Sequence, residues 1–133
     1  MRRLIFGLVI LSLALIGCAT SCNVNWKTVD RELGLTVKDV DDLKILMQDD
    51  PDIYPILEKL SVALKAVQTG VNNYVGGAGD LITVADGIDL ALAITDELVS
   101  NLSGDEEKIR RVKAGIMLAR AVLRRVKSYT LQE

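Results

Sequence analysis

Apolar residues recur through this chain at alternating spacings of three and four, the pattern that gives a helix one buried face. From Thr36 the series runs Val37, Val40, Leu43, Leu46 and Met47, until Asp49-Asp50-Pro51 ends it. Thr36 and Asp39 form a weak capping box at its start. A second series begins near Asp52 and passes through Ile53, Ile56, Leu57, Leu60, Ala63, Leu64, Val67, Val71, Tyr74 and Val75. Pro51 and Pro55 stand at its opening, where proline is tolerated because the first backbone N–H groups of a helix have no partner inside it.

Gly76-Gly77-Ala78-Gly79 then breaks the pattern, and Asp80 follows as a helix N-cap. These glycines do not make a phosphate loop. Neither a preceding strand nor a following Lys-Ser or Lys-Thr is present, and Asp80 would repel the anion. The third helix is expected over about Leu81 to Leu102. Its polar residues Asp86, Asp89, Asp96 and Ser100 keep to one narrow stripe, and Ala93 fills the gap. The apolar arc is wide enough to call for cover from more than one side, which predicts a central position between the second and fourth helices. Three aspartates interrupt it as a membrane span.

Ser103-Gly104-Asp105-Glu106 reads as a capping box for the fourth helix, and Asp105, Glu106 and Glu107 suit the positive end of its dipole. Ile109, Val112, Ile116, Ala119, Leu123, Val126 and Thr130 form a heptad seam. The seam serves either as the packing edge of an antiparallel bundle or as a homodimer interface, and the apolar helix just before it favours the first. The expected fold is therefore all-α: a small antiparallel bundle of three long helices and one shorter one, over residues 36–133.

The first 17 residues differ in kind. Met1-Arg2-Arg3 precedes an apolar run from Leu4 to Ile16, too short for a comfortable membrane span. The basic start favours retention on the cytoplasmic side while the rest is translocated. Leu15-Ile16-Gly17-Cys18 closes the run and resembles the lipobox of bacterial lipoproteins. That resemblance implies a signal peptide over 1–17, cleavage before Cys18, and acylation of Cys18 on sulfur and often on its freed amine. It names a covalent lipid such as palmitate as the only group the chain carries, with no other cofactor. Each buried methylene contributes about 0.8 kcal/mol, so two or three chains hold firmly. In that family an aspartate after the cysteine commonly keeps the protein at the inner membrane. Ala19 stands there instead, which implies the outer membrane, facing the periplasm, in a host that has one.

Residues 18–35 then read as the lipidated cysteine and a tether, with Trp26 at the membrane interface or capping the bundle. Cys22, the only other cysteine, is left with an intermolecular disulfide or a neutral place in the tether. One thiol without histidine cannot assemble a zinc site, so no metal is expected.

Composition narrows the chemistry. Among 133 residues, half are hydrophobic and none is histidine, which removes the commonest general base and metal ligand together. The net charge of −2 becomes −4 once Arg2 and Arg3 leave with the signal peptide, giving no general pull toward nucleic acid. No Ser-His-Asp or Cys-His pair can form, and nothing pushes the pKa values of neighbouring carboxylates such as Asp86 and Asp89 apart, so an enzyme is not expected. Charge is nonetheless segregated. Residues 30–107 hold 17 acidic and 5 basic side chains, whereas 108–133 hold 8 basic and 1 acidic. Arg110, Lys113, Arg120, Arg124 and Lys127 make one row along the fourth helix, with Met117 in the gap. The row is a candidate face for an anionic partner, or a solvated face that pairs in part with the acidic first helix.

These features point to a membrane-anchored, non-catalytic envelope protein that presents helix faces to a protein partner. In size, anchor and helical content it resembles secretion pilotins, which escort outer-membrane subunits, and phage- or plasmid-encoded envelope proteins. The alternative is a carrier holding a lipid or an apolar peptide in a groove beside the third helix.

Overall fold

A computed structural model describes residues 24–131. The leader, the lipobox with Cys18, and Cys22 lie outside the described residues. Four helices follow one another: α1 (Trp26–Leu46), α2 (Tyr54–Val75), α3 (Leu81–Asn101) and α4 (Glu107–Thr130). No strand occurs among the described residues, so the all-α bundle expected from the periodicity is the observed fold.

The first helix differs from its expected form. It opens at Trp26, ten residues before Thr36, and spans 21 residues against 21 to 24 in the other three. None of the four described helices is short, and the stretch expected as tether is helical from Trp26 to Leu35. Asn25 is the true N-cap, its Oδ1 accepting from the Thr28 N–H at 3.3 Å. Thr36, the expected start, is buried within the helix and its hydroxyl donates to the Glu32 carbonyl at 2.8 Å. Val29 and Leu33 explain the extension: they continue the apolar face upstream and enter the core, Leu33 fully buried.

The other boundaries follow local chemistry. Past the end of α1, Asp50 turns the chain with its side chain, Oδ1 accepting from the N–H groups of Asp52 and Ile53 at 2.9 and 3.0 Å. Pro55 sits in the first turn of α2, as expected. Asp80 caps α3, its Oδ1 accepting from Thr83 N–H at 2.8 Å. The capping box expected at Ser103 does not form. Gly104 takes a positive φ of 92°, which turns the chain before the helix, and Glu106 occupies the N-cap position without a side-chain cap bond.

Each helix packs on two neighbours: α1 on α2 and α4, α3 on α2 and α4. The backbones of the diagonal pairs do not approach closely, so the four form a closed ring around one core. Contacts between neighbours run in opposite sequence order. On α1 and α2, Asp30 meets Gln68 and Asp41 meets Ser61; on α1 and α4, Glu32 meets Arg125 and Leu43 abuts Gly115. The first helix thus closes the ring against the fourth. The third is not central: Ile82, Leu90 and Val99 of its wide apolar arc remain exposed, because two neighbours cannot cover it.

Two glycines let α2 and α3 approach closely. A Cβ on Gly70 would lie 3.3 Å from Val84, and one on Gly87 would lie 3.3 Å from Val67, so α2 and α3 each offer a notch to the other's valine. The heptad seam of α4 is buried from Ile109 to Val126 inside this chain. Polar groups in the core are matched. Ser61 donates to Asp41 Oδ1 at 2.6 Å and Thr95 to the Leu92 carbonyl at 2.6 Å, and no buried side-chain polar atom among the described residues lacks a partner.

Two outcomes are expected. Leu33→Ala should destabilise by about 2–5 kcal/mol in urea unfolding followed by circular dichroism, as large as Leu64→Ala in the centre of α2. A near-zero effect would return residues 26–35 to a tether. The Asp80 carboxyl is held below the ordinary carboxylate range, first by the hydrogen bond from the Thr83 backbone and then by the Thr83 side chain. Because the folded-state value is lowered, the charge contribution is complete above the unfolded-state pKa and is lost as pH falls through the folded-state value. Wild type should therefore melt above Asp80→Asn at neutral pH, and the two melting curves should converge in acid.

Candidate functional site

The most distinctive chemistry on the surface is the basic row of α4, and the fold divides it. The row flanks the buried seam on the side facing α3, and α3 turns its aspartate stripe toward it. Arg120 meets Asp96 at 2.9 Å, and Lys127 forms an ion pair with Asp89. The sequence suggested that such pairing would be with the acidic first helix. The stripe on α3 supplies it instead, because α3 and α4 are neighbours with their charged flanks in register. The first helix does pair once with α4, through Glu32 and Arg125 at 2.7 Å, but Arg125 lies off the row.

The two ion pairs stand one heptad apart on each helix, so Arg124 falls between them. The facing position in the stripe is Ala93, which offers no carboxylate. Among the described residues Arg124 is exposed without an ion pair, as are Arg110 and Lys113 toward the start of the helix. Of the five cations in the row, two are therefore engaged within the molecule and three point to solvent. Both pairs lie at the surface, with half-buried cations and exposed aspartates, and such pairs contribute little to stability, about 0–1 kcal/mol, so the row is not required to hold the bundle together.

A second feature lies on the opposite flank of α3. An open groove of about 660 Å³ runs between α2 and α3, lined by Val62, Ala63, Ala66, Leu90 and Ile94. Lys59 and Glu97 approach to 3.7 Å beside it. Leu90 and Ile94 belong to the wide apolar arc noted in the sequence. Val62 was not anticipated; its signal is an apolar residue placed off the periodic face of α2. Leu90 and Val62 are 60% and 63% exposed, so the groove is an unfilled apolar surface rather than an extension of the core.

The third feature is the end of the bundle where α1 begins. Trp26 packs against Tyr74 of α2 edge to face, with ring centroids 5.3 Å apart. Beside Tyr74, a hollow of about 460 Å³ is lined by Gly79, Leu81, Ile82, Ala85 and Leu131. At the opposite end, Asp49, Asp50 and Asp52 of one linker face Glu106, Lys108 and Ile109 across a more polar hollow. No group of three or more His, Cys, Asp or Glu side chains that could hold a metal ion occurs among the described residues, and no described helix is long and apolar enough to cross a membrane.

Removal of one charge from the matched part of the row should matter little. Asp96→Asn is expected to lower stability by less than about 1 kcal/mol in urea unfolding, a difference that shrinks further in high salt. Arg124→Ala should leave the unfolding midpoint unchanged. A large loss from Arg124→Ala would mean that this cation has a partner that holds the fold. No family model, curated protein or solved structure matches this chain, so the reading of these three surfaces rests on its own residues.

Proposed function

We propose that this protein is a bacterial envelope lipoprotein, anchored through acyl chains on Cys18, that acts without catalysis as an accessory or adaptor protein in the manner of a pilotin. The observation that carries the reading is Leu15-Ile16-Gly17-Cys18 at the end of a short apolar run behind Arg2 and Arg3. With Ala19 after the cysteine, the expected place is the outer membrane on its periplasmic side. The absence of histidine supports a non-catalytic role, since the usual proton-transfer group is missing. Arg110, Lys113 and Arg124 support partner binding: they are exposed and make no ion pair among the described residues.

The groove between α2 and α3 favours a second reading, a carrier for a lipid or an apolar peptide. Its walls are mostly aliphatic and open to solvent. An environment-sensitive apolar dye separates the two. Stoichiometric binding that Leu90→Lys abolishes supports the carrier, and lack of binding supports the adaptor.

The main reading is tested by intact mass and membrane flotation of the native protein beside Cys18→Ser. Wild type should lack residues 1–17, carry acyl mass and float with membranes. The variant should stay unprocessed or unacylated. Wild type that keeps its leader, or that carries no acyl mass, would overturn the assignment.

A further inference from the structure

The two ends of the bundle differ in a way that the fold itself does not require. At the end where α1 begins, the described residues of the terminal turns and linkers, 24–28, 72–83 and 128–131, contain Lys27 and Asp80 as their only charged side chains. Ile82 is 73% exposed and Leu131 is 77% exposed, and both line the same hollow beside Tyr74. Val75, in the last turn of α2, is exposed as well. Trp26, Tyr74 and Tyr129 all stand in terminal turns at this end, three of the four aromatic side chains among the described residues. The matching segments of the opposite end, 43–56 and 98–109, carry Asp49, Asp50, Asp52, Asp105, Glu106 and Glu107 against two cations, Lys44 and Lys108.

Chain length adds the second constraint. Seven residues separate Cys18 from Trp26. Fully extended, the eight steps from Cys18 to Trp26 reach about 28 Å, no more than the length of one helix of the bundle, about 30 Å. A lipid on Cys18 therefore keeps the α1 end close to the bilayer and leaves the opposite end free to point away. An anionic membrane surface repels the far end, where six carboxylates outweigh two lysines, and does not repel the described near end, where Lys27 and Asp80 balance. Tryptophan and tyrosine with exposed aliphatic neighbours are the side chains that settle at the headgroup boundary, where one edge is apolar and the other wet.

We propose that the α1 end of the bundle, with Trp26, Tyr74, Ile82 and Leu131 at its surface, docks on the bilayer leaflet that holds the protein's own acyl anchor. The bundle then stands upright, with its acidic end and the flanks bearing Arg110 and Lys113 presented to partners. This inference rests on the lipoprotein reading, and the experiment separates the two.

Full-length acylated protein is placed in vesicles of phosphatidylethanolamine and phosphatidylglycerol whose acyl chains are brominated near the glycerol. Trp26 is the only tryptophan in the chain, so its emission reports this end alone. Flotation of the same sample reports the anchor. Wild type should float and show Trp26 quenching that Ile82→Asp/Leu131→Asp reduces about twofold or more, with flotation kept. Leu35→Asp/Ile45→Asp, which changes exposed residues on the side of α1, should float and quench like wild type. All substituted positions are exposed, and circular dichroism verifies the helices. Equal quenching of wild type and the Ile82/Leu131 variant, both floating, would overturn docking and leave the anchor intact. Equal loss from the side variant would also overturn it, because the contact would then not belong to this end. Failure of wild type to float would remove the anchor and the inference with it.

Discussion

The bundle depends on one ring closure, the packing of α1 against α4. Each helix has a single apolar face, and a single face is buried only when neighbours on two sides cover it. With α1 in place from Trp26, Leu33 and Val40 reach the same core as Ile116 and Leu123, and every helix has two partners. Without its first ten residues α1 would lose Val29 and Leu33, and the core near the C-terminal turns of α4 would open to water. Burial of a leucine side chain is worth about 1.5–3 kcal/mol, so this stretch carries a substantial share of the marginal stability of a small domain.

Closure also decides what the surface offers. Because α3 and α4 are neighbours, the aspartate stripe of one lies along the basic row of the other, and two of its five cations are neutralised locally. The three that remain owe their freedom to a single small residue, Ala93, and to the position of Arg110 and Lys113 beyond the reach of the stripe. On the other flank of α3, the tight fit of Gly70 and Gly87 against the two valines brings α2 and α3 together near the α1 end. Farther along the same interface the helices leave the groove at Val62 and Leu90. The adaptor and carrier readings thus draw on opposite sides of one helix.

An anchor placed seven residues before a rigid helix is mechanically different from an anchor on a long tether. The anchor proposed on Cys18 would limit how far the domain moves from the membrane and would make its two ends inequivalent. The segregation of aromatic and aliphatic side chains to one end and carboxylates to the other is what such inequivalence would favour. Neither the exposed Ile82 and Leu131 at one end nor the linker carboxylates at the other are needed to hold four helices together, since they lie outside the core.

The periodicity determined much of this structure by itself. The apolar faces of α2 and α4, the break at Gly76–Gly79 and the Asp80 cap were legible because each is set within a few residues of itself. The start of α1 was not. Val29 and Leu33 lie in a polar stretch that looks like linker until a neighbouring helix is present to cover them. The capping box at Ser103 failed for the converse reason: the spacing was right, but the left-handed turn at Gly104 places Ser103 outside the helix. The basic row was visible in the sequence as a row, and so was the aspartate stripe. That they belong together, that Ala93 leaves Arg124 unmatched, and that Ile82 and Leu131 share one end with Trp26 depended on which helices are neighbours and in what register. Those are long-range facts, decided by the packing of the faces against one another rather than by any local run of residues.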